Sequence, residues 1–84
     1  MKRISFIMPS FNRAGYIAES IESVHAQMQA DDELLVVDDG STDDTESAVA
    51  PYLDRLRYVR QDNAGKAAAL NRAMGMTSGA YVWI

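Results

Sequence analysis

Two short, almost unbroken apolar runs, Ile4 to Met8 and Leu34 to Val37, stand on either side of a stretch with helical periodicity. This alternation constrains the fold more than any other feature. A strand with one wet face alternates apolar and polar residues, whereas a run that is apolar throughout is buried on both faces, as in parallel sheets covered by helices. Between the runs, Ile17, Ile21, Val24 and Met28 recur on one side while Glu19, Glu22 and Gln27 fall elsewhere, which predicts a helix over about residues 14–28. Pro9 closes the first run. Asp38-Asp39-Gly40-Ser41 closes the second, and Ser41, Thr42 or Asp43 can cap the helix that follows.

That next helix has a narrower stripe of Thr45, Val49 and Leu53, and Pro51 predicts an early end or a kink. Leu56 to Gln61 reads as a shorter strand near a sheet edge, and Asp62 to Gly65 turns the chain. Lys66 to Met76 is expected as a third helix with Leu70, Ala73 and Met74 on one side and Gly75 and Gly79 at its end. Tyr81 to Ile84 starts a fourth strand. The expected order is βαβαβαβ in a single α/β domain, a Rossmann-like three-layer parallel sheet with right-handed crossovers. The fourth strand stops on an apolar residue and would leave a bare hydrophobic edge, so the native polypeptide is expected to continue, covering that edge and completing the site.

Composition removes several classes. With no cysteine there is neither a disulfide framework nor a thiolate zinc site, and with His25 alone any metal would be held by carboxylates, which suit Mg or Mn. Twelve acidic against eight basic residues, a net charge of -4, argue against nucleic acid as a partner. Lys2 and Arg3 precede an apolar stretch far shorter than the roughly 7–15 residues of a signal core or the roughly 20 of a membrane span. The chain is therefore expected to be soluble and cytoplasmic, with any membrane attachment carried by other segments.

Ligands of open parallel sheets bind outside the carboxyl ends of the strands. That rule selects Pro9-Ser10-Phe11-Asn12-Arg13, Asp38-Asp39-Gly40-Ser41 and Asp62-Asn63-Ala64-Gly65-Lys66. An aromatic ring, a carboxylate pair and a lysine on one rim suit a nucleotide: stacking for the base, an acceptor for a ring N–H, a cation for phosphate. Uracil, thymine and guanine present such an N–H. Plainer roles stand beside these. Asp38 and Asp39 can cap a helix, Phe11 can be a half-buried core ring, and Lys66 and Arg72 can lie on a solvated helix face. Neither a Walker spacing nor G-x-G-x-x-G is present, and His25 has no serine or acid arrangement near it in sequence.

The strings Ile7-Met8-Pro9-Ser10-Phe11-Asn12-Arg13 and Val36-Val37-Asp38-Asp39-Gly40-Ser41-Thr42-Asp43 are followed by Asn63-x-Gly65, Ala69-Leu70-Asn71 and Gly79-x-Tyr81. In order and spacing they resemble the N-terminal half of family 2 glycosyltransferases, over nearly the whole chain. The resemblance implies the nucleotide-binding part of an A-type glycosyltransferase fold. By carry-over Pro9, Ser10 and Phe11, with Asn12 beside them, would line the base and ribose pocket. Asp39 would accept from the base N–H, Asp38 would support the pocket or its loop, and Gly65 and Lys66 would face the nucleotide. Phe11 stands where the family often has tyrosine, which keeps the stacking face and loses a hydroxyl.

The implied activity is an inverting hexosyl transfer from a UDP-, GDP- or dTDP-sugar to a glycan, lipid-linked or other hydroxyl acceptor, as in cell-surface polysaccharide synthesis. In this family an Asp-x-Asp motif after the fourth strand holds a divalent metal, Mg or Mn, on the diphosphate, and a later acid serves as base. Both are expected beyond Ile84, so no catalytic or metal-binding residue is expected within these residues, which alone would bind the nucleoside without catalysing transfer. Two other readings are a receiver-type phospho-acceptor module and a non-catalytic binding module. The receiver pattern fits poorly, since its acid pair follows the first strand whereas Asp38 and Asp39 follow the second.

Overall fold

The structure, a computed structural model, describes residues 4–77 and 80–83. The chain runs β1 (Ile4–Ser10), α1 (Ile17–His25), β2 (Glu33–Asp38), α2 (Thr45–Val49) with a 3₁₀ turn at Ala50–Tyr52, β3 (Arg57–Arg60), α3 (Lys66–Met76) and β4 (Ala80–Trp83). All three strand pairings are parallel, in the order β3-β2-β1-β4. The two apolar runs are the central strands. Leu34 to Val37 are at most 1% exposed, the double-sided burial that their unbroken apolar character requires.

Alternating side chains divide the core into two layers. Phe6, Met8, Leu34 and Val36 pack against Ile17, Ile21 and Val24 of α1 and Val49 of α2. On the opposite face Ile7, Leu35 and Val37 pack against Ala69 and Ala73 of α3. Helices on both faces of one parallel sheet give the expected three-layer α/β architecture, with strand order reversing at β1.

Four details differ from the sequence reading. β1 continues through Pro9 to Ser10 instead of stopping at Pro9. The Ser10 carbonyl accepts from Asp39 N at 2.8 Å, so Ser10 turns its backbone to β2 and Pro9, one residue earlier, turns the opposite way. The described β1–β4 register ends at Ile7 and Trp83, so the proline's missing N–H breaks no described ladder bond. α1 is shorter than expected, because residues on both flanks form turns.

α2 lasts only one turn before the 3₁₀ segment that contains Pro51, and Leu53, expected on its buried stripe, is 52% exposed. In α3 the buried positions are Ala69 and Ala73, while Leu70 is half-buried and Met74 is 47% exposed. The i, i+4 alanine pair turns the smallest side chains to the sheet and lets the helix approach β1 and β2 closely. The helix also runs through Gly75. Gly79 and Ile84, expected to mark the end of α3 and the end of the last strand, lie outside the described residues.

Candidate functional site

The three rim loops are joined by hydrogen bonds in two places. Asn12, at φ 52, ties the loop after β1 to the loop after β2. Its Oδ1 accepts from Thr42 N at 2.8 Å, its own N–H donates to Ser41 Oγ at 2.9 Å, and Arg13 N donates to Thr45 Oγ1 at 3.0 Å. Asp43 belongs to the same seam, accepting from Ala14 N at 3.1 Å and from Thr45 N at 3.0 Å. The Thr45 hydroxyl, the largest influence, and these N–H groups hold the Asp43 carboxyl below its ordinary range against the opposing effect of burial.

The acid pair splits between two tasks. Asp38 is fully buried and faces away from the rim. Its Oδ1 accepts from Ser41 N at 2.9 Å, and its Oδ2 takes the Tyr58 hydroxyl and Arg60 at 3.5 Å. Burial first, then the hydrogen bond to Asp38 and its charge, raise the Tyr58 pKa far above its ordinary value, so the phenol stays a donor.

Asp39 reaches across to the β3–α3 loop. Its Oδ1 accepts from Gln61 Nε2 at 3.0 Å and Ala64 N at 2.8 Å, while Oδ2 accepts from Gly65 N at 3.0 Å and Asn63 Nδ2 at 3.3 Å. These bonds, the Gln61 amide foremost, hold its carboxyl below the usual carboxylate range although burial pushes it up. The capping alternative therefore holds in altered form, since Asp39 serves the N-terminal turn of α3 and not α2. Asn63 Nδ2 also donates to the Asp39 carbonyl at 3.0 Å. Gly40, at φ +74, lets the two loops touch, and a Cβ there would come within 2.7 Å of Asn63 N.

A cavity of about 460 Å³ opens beside these loops at the carboxyl end of β1. Met8, Pro9, Ser10 and Phe11 form its floor, Arg13, Tyr16, Ile17 and Ser20 its α1 side, and Asp39, Asn63, Gly65, Lys66 and Ala69 its α3 side. It lies where strand order reverses, since β2 and β4 flank β1 and their connections pass over opposite faces of the sheet. Eight residues of the three loops selected from sequence, Pro9, Ser10, Phe11, Arg13, Asp39, Asn63, Gly65 and Lys66, meet here. Asn12 and Asp38 do not; their side chains hold the loops that shape the cavity. Phe11 is 47% exposed, which excludes the half-buried core alternative and leaves its ring face open.

Arg13 is selected from sequence only as part of its loop, with no role of its own, and Gln61, Tyr16 and Ser20 are not selected at all. Tyr16 and Ser20 precede and interleave the buried stripe of α1, so helical phase alone places them beside Ile17 at its rim. Gln61 could be found only through its pairing with Asp39. His25 keeps a structural place, its Nε2 lying 3.1 Å from the Arg55 carbonyl. Among the described residues no group of three His, Cys, Asp or Glu side chains could hold a metal ion, and no helix is long and apolar enough to cross a membrane.

A doubly wound parallel sheet with a cavity at its reversal point is the arrangement of open α/β domains that bind ligands outside the carboxyl ends of their strands. The model of glycosyl transferase family 2 matches residues 5–84, and the chain belongs to that family. An uncharacterized glycosyltransferase of Rickettsia prowazekii is 38% identical over 78 residues, covering 93% of this chain and 24% of its own. Glycosyltransferase GlyA of Streptococcus pneumoniae serotype 4 is 34% identical over 83 residues, covering 95% and 12%.

Among solved structures, glucosyl-3-phosphoglycerate synthase from Mycobacterium tuberculosis in complex with Mn²⁺, UDP and glucosyl-3-phosphoglycerate superposes with a TM-score of 0.84 at 33% identity, covering 99% of this chain and 33% of that one. The mannosyltransferase PcManGT from Pyrobaculum calidifontis, in complex with GDP-Man and Mn²⁺, gives 0.77 at 31% identity, covering 93% and 25%. The chain thus shares the α/β fold of A-type glycosyltransferases and spans about a quarter or less of several curated relatives. Family membership sets aside the receiver-type alternative.

Proposed function

We propose that this chain is the nucleotide-binding part of an inverting glycosyltransferase, a hexosyltransferase that moves a sugar from a nucleotide-sugar donor to an acceptor hydroxyl in glycan or polysaccharide synthesis. The supporting observation is that the carboxyl end of β1, the Asp39 carboxylate and the first turn of α3 surround one cavity at the reversal point of the sheet. In this reading Phe11 stacks on the base and Pro9 and Ser10 line the base and ribose. Asp39, ionised by its donors, accepts the base N–H in place of the 3.3 Å contact from Asn63, the longest of the four it now makes. Gly65 and Lys66 face the nucleotide, and Asn12 and Asp38 keep the rim in shape.

A divalent metal, Mg or Mn, would complete the donor site in the whole protein. In this reading its ligands and the catalytic base come from other parts of the whole protein. The solved complexes with UDP and GDP-Man, each with Mn²⁺, favour this reading. Calorimetric titration of the full-length protein with UDP, GDP, dTDP and CDP tests it. One of the first three is expected to bind about tenfold or more tightly than CDP, whose N3 presents a lone pair to the carboxylate. Equal binding of all four, or none, would contradict it.

A further inference from the structure

Tyr58 and Arg60 of β3 stand outside the cavity, yet both reach the loop that carries Asp39. In the β2–β3 register Tyr58 lies beside Val36 and Arg60 beside Asp38, so alternation puts all four side chains on the face covered by α1 and α2. The Tyr58 ring packs against the apolar layer that contains Val36 and Val49, and its hydroxyl donates to Asp38 Oδ2. Arg60 lies 3.5 Å from the same oxygen and donates through Nη2 to the Ser41 carbonyl at 2.7 Å.

These contacts close a clasp around residues 38–41. Ser41 is held at three atoms: its N–H by Asp38 Oδ1 at 2.9 Å, its carbonyl by Arg60, and its Oγ by Asn12 N at 2.9 Å. Gln61, the next residue after Arg60, donates its N–H to the Asp38 carbonyl at 2.9 Å and its side-chain amide to Asp39 Oδ1 at 3.0 Å. Asp39 and Gly40 therefore span two fixed points. Asp38 is fully buried, and a carboxylate taken out of water is tolerated only while its oxygens keep their donors. Without the Tyr58 hydroxyl, Oδ2 would retain only the long Arg60 contact, and the loop would be free to shift toward another donor.

We propose that Tyr58 and Arg60 are positioning residues, which hold Asp38 and Ser41 from behind and thereby fix the spacing between the Phe11 ring and the Asp39 carboxylate. This role rests on the donor reading above, in which those two groups receive the base. Phe11 follows β1 and Asp39 follows β2, so the gap between them depends on how their loops are joined. Asp39 N donates to the Ser10 carbonyl at 2.8 Å, and Asn12 N donates to Ser41 Oγ. The second link is the one that the clasp holds in place. A base that stacks and donates an N–H at once reads that gap, so the clasp acts on the choice among bases more than on total attraction.

The test uses the full-length protein with Tyr58→Phe, Asp38→Asn and the double variant, at a temperature at which each is folded by circular dichroism. Tyr58→Phe is expected to weaken the preferred nucleoside diphosphate about fivefold and to reduce its roughly tenfold preference over CDP to about twofold. Arg60→Gln should lower the preference in the same direction, and Arg60→Lys should recover part of it. The double variant should bind no more weakly than the weaker single one, since both changes break the same contact. A tyrosine that serves stability alone would lower Tm and leave the affinity and base preference of the folded protein unchanged. That result, or losses that add in the double variant, would overturn the positioning role and leave the donor reading standing. If the wild-type protein binds no nucleotide, the donor reading falls and hydrogen–deuterium exchange of the free protein decides on the clasp. Faster exchange at residues 12–13 and 39–41 in Tyr58→Phe would support it, and unchanged exchange there would overturn it.

Discussion

Gly40 concentrates two demands in one position. Its φ of +74° lies in the left-handed region, and its missing side chain leaves room for Asn63 N at 2.7 Å from where a Cβ would stand. Gly40→Ala therefore meets both a backbone penalty and a clash with main chain, and is expected to destabilise the fold by about 2–4 kcal/mol. Denaturant unfolding measures this, and a loss under roughly 0.5 kcal/mol would show that the two loops do not meet as described. The acid pair beside it was legible in sequence as a pair, but its division of labour was not. Residue type says that a carboxylate accepts hydrogen bonds; only the strand's alternation and the arrival of Gln61, Asn63, Ala64 and Gly65 decide that Asp39 faces the cavity and Asp38 the interior. Arg13 is legible in sequence only as a member of the loop after β1, and its place on the cavity wall is visible only in the fold.

The strongly periodic elements are legible in sequence in type and burial, though not in their bounds, and the short ones less so. β2 and α1 announce themselves because four consecutive apolar residues, or a stripe at helical spacing, have one economical burial. α2 failed as a reading at Leu53, because a one-turn helix followed by Pro51 loses its phase before that residue. In α3 the expected side of Leu70, Ala73 and Met74 departs from the observed face at Leu70 and Met74, because close approach to the sheet selects small residues over large apolar ones. The face that packs against Ile7, Leu35 and Val37 carries Ala69 and Ala73, both fully buried, and the larger residues are displaced to its flanks. The seam is thus set by close approach, and enlarging it should be costly. Ala73→Leu is expected to lose about 1–3 kcal/mol by overpacking, whereas Met74→Leu, at a 47% exposed position, should change stability by no more than about 0.5 kcal/mol. Thermal melts of the two variants check the helix phase, and the reverse ranking would put Met74 on the sheet.

At the scale of the molecule, the fold places its chemistry by topology. A sheet ordered β3-β2-β1-β4 opens at the carboxyl end of β1, and three loops distant in sequence are drawn there by Asn12 on one side and Asp39 on the other. This opening is the proposed site of the nucleotide. Hydrogen–deuterium exchange of the full-length protein with and without its preferred nucleoside diphosphate tests it most directly. Protection is expected in residues 9–16 and 61–69, with no change in residues 46–56 of the α2 segment. Nucleotide binding that leaves 9–16 and 61–69 unprotected, or that protects the α2 segment instead, would contradict the account.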